Sequence, residues 1–135
     1  MTLEKIFKQG TEFANVDEAA REMLADFKDH KVGMMLGDEE LTVVIKDGKV
    51  FYECGIRDDC HAVMKMLPAD MCSAIDGGID LMDIREKGEI VKGDRADPEL
   101  PVHFMSLFPF FDAMVRLYVD NAEFKAHVDR LKASL

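Results

Sequence analysis

The sequence predicts an α+β domain, because helical periodicity marks both ends of the chain and strand periodicity marks its centre. Apolar residues recur every three to four positions before residue 30 and after residue 104, as on a helix with one buried face. Between them lie short runs rich in β-branched and aromatic residues, which favour strands. We therefore expect one domain over residues 1–135, with a helical N-terminus (1–30), a strand-rich centre (31–94) and C-terminal helices (104–134).

Two helices are expected before residue 30. The first, over residues 3–9, ends at Gly10, because glycine readily takes the left-handed conformation of a helix end. The second is capped by Asn15, and Glu18 completes a capping box. Its buried face is formed by residues at helical spacing, namely Ala19, Ala20, Met23, Leu24 and Phe27.

The centre of the chain predicts five strands. Three of them, KVGMML, LTVVIK and KVFYEC, form an antiparallel meander, and Asp47-Gly48 predicts a two-residue hairpin between the last two. A fourth strand is expected over residues 60–66, where apolar residues alternate. Pro68 then opens a short helix, a further helix covers residues 79–86, and residues 89–92 form the fifth strand.

The C-terminal region predicts two more helices after a proline-containing loop at 93–102. Ser106 is the expected cap of the first, with Pro109 in its first turn, where a missing N–H breaks no helical bond. Asp120 and Glu123 resemble the start of the last helix.

Composition restricts the partners. The formal charge of −10, from 17 basic and 27 acidic residues, repels phosphate backbones, so nucleic acid is not expected. No apolar run approaches the roughly 20 residues of a membrane span, and no secretion signal is present, so stable membrane insertion is not expected. Three cysteines without CxxC pairing indicate reduced thiols and a cytoplasmic location.

No motif indicates catalysis, a metal or a cofactor. Cys60 and His61 are adjacent, but in a strand their side chains point to opposite faces, which disfavours chelation or a nucleophile pair. The acidic segment AIDGGIDLMD does not match the calcium-loop template. We expect His30, His103 and His127 at helix ends or on the surface. An enzyme using Cys60 and His61 is the least favoured alternative.

The apolar residues are unusual in kind, with ten methionines, nine phenylalanines and no tryptophan. Methionine fits irregular voids, so this composition suits an adaptable hydrophobic cavity as well as a core. The helix after Ser106 carries an apolar stripe wider than the roughly 100° that a surface helix needs. That stripe must cover a partner subunit, a lipid, or two layers of its own domain.

The stretch from Gly37 to Asp94 resembles the sterol carrier protein 2 superfamily of lipid-binding domains. The matching segments are the hairpin ELTVVIKDGKVFYECG, the strand DCHAVMKM, the helices PADMCSAIDGG and DLMDIREKG, and the strand EIVKGD. The resemblance implies a five-stranded, mostly antiparallel sheet covered on one face by helices, with an apolar tunnel between the layers. It also implies binding of fatty acyl chains, acyl-CoA, sterols or similar lipids. The helices expected at 107–119 and 121–134 are additions to that pattern.

The leading hypothesis is a non-catalytic lipid carrier without a cofactor. The predicted tunnel lining consists of Met64, Met66, Met71, Ile75, Met82, Phe104, Phe108, Phe111 and Met114. The alternative is a homodimeric interaction or regulatory module without a ligand, which buries the apolar helix near 104–118 against its twin.

Overall fold

The computed structural model describes residues 2–135, which form one five-stranded sheet and a layer of helices. In this range the elements are α1 (Thr2–Ala14), α2 (Glu18–Leu24), β1 (Asp29–Leu36), β2 (Glu39–Lys46), β3 (Lys49–Cys54), β4 (Ala62–Met66), α3 (Pro68–Ile75), a 3₁₀ turn (Leu81–Asp83), α4 (Ile84–Lys87), β5 (Glu89–Lys92), α5 (Leu100–Met105), α6 (Phe108–Asp120) and α7 (Ala122–Ala133). The predicted α+β class is confirmed.

The sheet has the strand order β3-β2-β1-β4-β5. The first three strands form the predicted antiparallel meander, and β5 is antiparallel to β4. The strand β4 instead runs parallel to β1, with Met34 opposite Met64. The hairpin between β2 and β3 has φ values of 52° at Asp47 and 77° at Gly48, the positive values that its turn requires.

The main core lies on one face of the sheet. Alternate residues of the strands point into it, including Met34 of β1, Val43 of β2 and Met66 of β4, and they pack with the buried side chains of the helices. The helix α6 is central to this layer, because it packs against α1, α2, α3 and α7. The helices thus cover one face of a mixed, mostly antiparallel sheet.

The structure corrects the prediction that Gly10 ends the first helix. The helix α1 continues through Gly10 to Ala14, and α6 crosses it at this point. A Cβ atom at Gly10 would lie 2.8 Å from Cγ of Met114 and 2.9 Å from Cε1 of Phe110. The glycine therefore permits close helix packing instead of terminating the helix.

The predicted cap of the second helix was also wrong. The helix α2 is capped by Asp17, whose carboxylate accepts a hydrogen bond of 3.0 Å from the Ala20 amide. The Asn15 side chain instead bonds the backbone of Val50 twice, at 2.8 Å each, on the outer edge of β3. Ala19 is exposed and does not belong to the buried face.

Several other boundaries differ from the expectation. The segment expected as one helix over 79–86 is a 3₁₀ turn followed by the four-residue α4. Ser106 ends α5 and donates a hydrogen bond of 2.6 Å to the His103 carbonyl, so it does not cap α6. Pro109 lies at the start of α6 as predicted, and Asn121, not Asp120, caps α7.

The stretch Leu100–Asp120 has the length and composition of a membrane span, and its most apolar 18 residues have a mean hydropathy of 1.2. This differs from the expectation that no apolar run approaches that length. In the structure the stretch comprises two helices, and 44% of its most apolar window is buried. Helices of a protein core meet the same description, so this finding assigns no membrane role.

Candidate functional site

An open, apolar groove of about 440 Å³ lies beside β4. Its other walls come from the end of α2 and the loop after it, from the 3₁₀ turn and α4, and from α5 and α6. We call it the apolar groove. Its lining residues are Met23, Asp26, Phe27, Met64, Met66, Leu81, Met82, Ile84, Phe104, Met105, Leu107, Phe108, Pro109 and Phe111. Ligand pockets commonly have volumes of about 300–1,000 Å³, so the groove has room for a small ligand.

The groove has a buried floor and an exposed rim. Met66 on the floor comes from β4, whose alternation directs it to the helical side, and Phe111 comes from the first turn of α6; both are buried. On the rim, Met82 is 74% exposed, Met105 is 55% exposed and Phe108 is 37% exposed. The groove is therefore open to solvent along its rim.

The lining is almost entirely apolar. Of its 14 residues, five are methionines, four are phenylalanines and one, Asp26, is charged. Flexible thioethers and aromatic rings can adapt to a hydrocarbon of irregular shape. Such a surface can take the apolar groups of a ligand out of water. It has only one ionisable group, Asp26, so it offers little for catalysis.

The structure places six of the nine predicted lining residues in the apolar groove. They are Met64, Met66, Met82, Phe104, Phe108 and Phe111. The other three, Met71, Ile75 and Met114, are fully buried in the core and do not line the groove. Contact of any of these nine residues with a ligand stays a prediction.

The sequence reasoning missed eight lining residues. Two of them, Met23 and Phe27, lie on the apolar face predicted for the second helix, so the helical spacing could have nominated them. Leu81 and Ile84 lie three positions apart in the segment expected as a helix. Their side chains pack partly buried against the core beside β4, which no local pattern reveals.

Two other depressions have charged residues in their lining. One of about 350 Å³ adjoins the apolar groove, shares Met64, Met82 and Phe104 with it, and adds Glu86 and Arg95. A larger one of about 710 Å³ lies over α2 and the β2–β3 hairpin, where charged side chains such as Arg21 and Lys49 line it. Size alone would favour the larger depression, but its charged lining does not suit a hydrophobic ligand.

A cluster of three histidines lies between α5 and the sheet, and no sequence pattern indicated it. Nδ1 of His30, at the start of β1, is 2.8 Å from Nδ1 of His103 on α5. The ring of His61 stacks on His103 with a centroid distance of 4.5 Å. His30 lies within β1 and is only 8% exposed, so the expectation that it lies at a helix end or on the surface was wrong. The three residues are far apart in sequence, which hides the cluster from any motif.

Cys60 and His61 do not form a pair. The strand β4 begins at Ala62, later than expected, and Sγ of Cys60 lies 3.8 Å from the hydroxyl of Thr42. Nδ1 of His61 accepts a hydrogen bond from the Lys31 amide.

Burial raises the pKa of Cys72 to about 11, so that thiol is poorly suited to act as a nucleophile. Among residues 2–135 no group of His, Cys, Asp and Glu side chains is arranged to hold a metal.

Three solved structures share the architecture of this chain. The UbiJ-SCP2 ubiquinone synthesis protein aligns with a TM-score of 0.57 at 13% identity, over 88% of this chain and 93% of its own. A conserved hypothetical protein of Thermus thermophilus aligns with a TM-score of 0.57 at 14% identity, over 84% and 87%. A crystal structure of sterol carrier protein 2 aligns with a TM-score of 0.56 at 12% identity, over 95% and 94%.

These alignments cover 84–95% of this chain and 87–94% of each similar structure. No family model matches the sequence, and no curated protein matches it. At 12–14% identity the likeness concerns the fold, which is that of sterol carrier protein 2.

Proposed function

We propose that this protein binds a hydrophobic ligand in the apolar groove and carries it in the cytoplasm without chemical change. The ligand class is a fatty acyl chain, acyl-CoA, a sterol or a similar lipid. The observation that carries the proposal is an open groove of about 440 Å³ in which 13 of 14 lining residues are apolar. The sterol carrier protein 2 fold supports the same class of ligand.

Burial of hydrocarbon would drive this binding. Each methylene removed from water contributes about 0.8 kcal/mol, so a chain of about twelve carbons supplies roughly 10 kcal/mol before the cost of association. The single acidic group of the lining adds no attraction for an anionic head. Affinity is therefore expected to rise with the length of the alkyl chain and to depend little on the headgroup.

A homodimer without a ligand is the second candidate function, and the exposed rim favours it. Met82, Met105 and Phe108 present apolar surface that a second copy could cover. The wide apolar stripe of α6, which first suggested a dimer, has another explanation: Phe110, Met114 and their neighbours are buried inside the same chain. The dimer then depends on the rim and not on the stripe.

A charge on the rim tests the carrier function. In Phe108→Asp a carboxylate replaces an aromatic ring beside the bound tail, and an acidic residue in the first turn of α6 is compatible with the helix. We expect about a tenfold to hundredfold loss of affinity for a fluorescent long-chain fatty acid. Fluorescence titration measures it, with the fold checked by circular dichroism.

The matched control is Phe51→Asp on β3, since Phe51 is 46% exposed and does not line the apolar groove. That variant should bind the probe like the unaltered protein. Equal affinities of the two variants would contradict the assignment of the groove. If the unaltered protein does not bind the probe and native mass spectrometry shows only a ligand-free dimer, the homodimeric module is favoured.

A further inference from the structure

The three histidines connect α5 to the sheet. His30 lies in β1, and His61 immediately precedes β4, the strand beside β1. The Lys31 amide of β1 donates a hydrogen bond of 2.9 Å to Nδ1 of His61. His103 of α5 rests on both, through the 2.8 Å contact with His30 and the stacked ring of His61, whose plane differs by 5°.

The geometry limits how many protons the cluster can hold. Two Nδ1 atoms at 2.8 Å form a hydrogen bond when one carries a proton and the other presents a lone pair. His61 accepts at Nδ1, so its proton belongs on Nε2. With both Nδ1 atoms of His30 and His103 protonated, two N–H groups would face each other and the bond would be lost. Full protonation is therefore incompatible with this arrangement.

Charged groups of both signs surround the cluster. On β1 these are Asp29 and Lys31, and Lys31 pairs with Asp29 at 3.8 Å and with Asp59 before β4 at 3.3 Å. The loop before α5 contributes Asp97 and Glu99. Burial and repulsion between the imidazoles outweigh the nearby carboxylates, so the pKa values of His30 and His103 lie below the ordinary 6.5.

The position of α5 links the histidines to the apolar groove. His103 is followed directly by Phe104 and Met105, which line the groove, and α5 makes its sheet contacts with β1 and β4. A movement of α5 away from the sheet would therefore displace one wall of the groove.

We propose that His30, His61 and His103 form a pH-sensitive latch, which holds α5 on the sheet at neutral pH and frees it in mildly acidic solution, widening the apolar groove. Release of a ligand by this movement rests on the proposed function; the opening of α5 does not.

The direction follows from proton linkage. With pKa values below 6.5 in the folded protein, His30 and His103 bind protons less readily when latched than when α5 is free. The latched state therefore keeps its full stability above about pH 6.5 and loses it as the pH falls through that value towards the lowered pKa values. Below those values no further stability is lost.

Hydrogen exchange of the ligand-free protein tests the latch. Amides of α5 and its end, such as those of His103, Ser106 and Leu107, donate to backbone carbonyls and report its opening. Between about pH 7.5 and about pH 5.5 we expect their protection, corrected for intrinsic exchange, to fall about tenfold or more, while that of α7 stays unchanged.

Two variants keep the test specific. In His103→Asn the amide can still donate to His30 but does not titrate, while His30 still does, so the fall in the protection of α5 should become smaller. His127→Asn on α7 should behave like the unaltered protein. Constant protection in the unaltered protein, or the same fall in His103→Asn, overturns the latch. Binding of the fluorescent fatty acid is measured in a separate experiment at about pH 7.5. A protein that does not bind it contradicts the carrier function but not the latch.

Discussion

Replacing Phe110 by alanine is expected to lower the free energy of unfolding by about 3–5 kcal/mol. Phe110 is fully buried in α6 and packs edge-to-face on Phe7 of α1, with ring centroids 5.4 Å apart and planes at 78°. Its removal leaves a cavity at the crossing near Gly10, because the Phe110 ring packs directly against this glycine. Urea denaturation followed by circular dichroism measures the loss.

Phe51→Ala is the control for this change, because Phe51 lies on the edge strand β3 and is nearly half exposed. It should cost less than about 1 kcal/mol. A double-mutant cycle of Phe7→Leu and Phe110→Leu should give a coupling of about 0.5–1.5 kcal/mol for the aromatic pair. If Phe110→Ala cost no more than the control, α6 would be an accessory helix and not the centre of the core.

The second large effect is expected for Asn15→Ala, which should destabilise the protein by about 2–3 kcal/mol. The Asn15 amide donates to the carbonyl of Val50 and accepts from its N–H, and Val50 is fully buried on the edge strand β3. Alanine leaves both backbone groups without a partner. Denaturation gives the loss, and light scattering shows whether the uncovered edge promotes association.

Asn15→Asp separates the two hydrogen bonds. Its carboxylate can accept from the Val50 N–H but repels the Val50 carbonyl, so this variant should fall between alanine and the unaltered protein. Asn121→Ala, which removes only the local cap of α7, should cost about 1 kcal/mol. An Asn15→Ala variant no less stable than Asn121→Ala would show that water satisfies the edge of β3 equally well.

The predictions that were confirmed depend on neighbours in sequence. The Asp47-Gly48 hairpin, the helix opened by Pro68 and the position of Pro109 follow from backbone conformations that these residues favour locally. Two of the predictions that were wrong involve residues with distant partners. Asn15 bonds a strand 35 positions away, and Gly10 meets α6 about 100 positions away, so neither acts as a helix end.

The candidate site shows the same division. Composition suited an apolar cavity as well as a core, and six of the nine residues predicted to line a tunnel lie in the apolar groove. The chain order could not show that β4 would lie parallel to β1, nor that α5 would bring His103 onto His30 and His61. Secondary structure and turn chemistry are local properties that sequence spacing encodes, whereas the groove and the histidine cluster arise where distant segments pack. Their geometry depends on contacts across tens of residues, which no short pattern records.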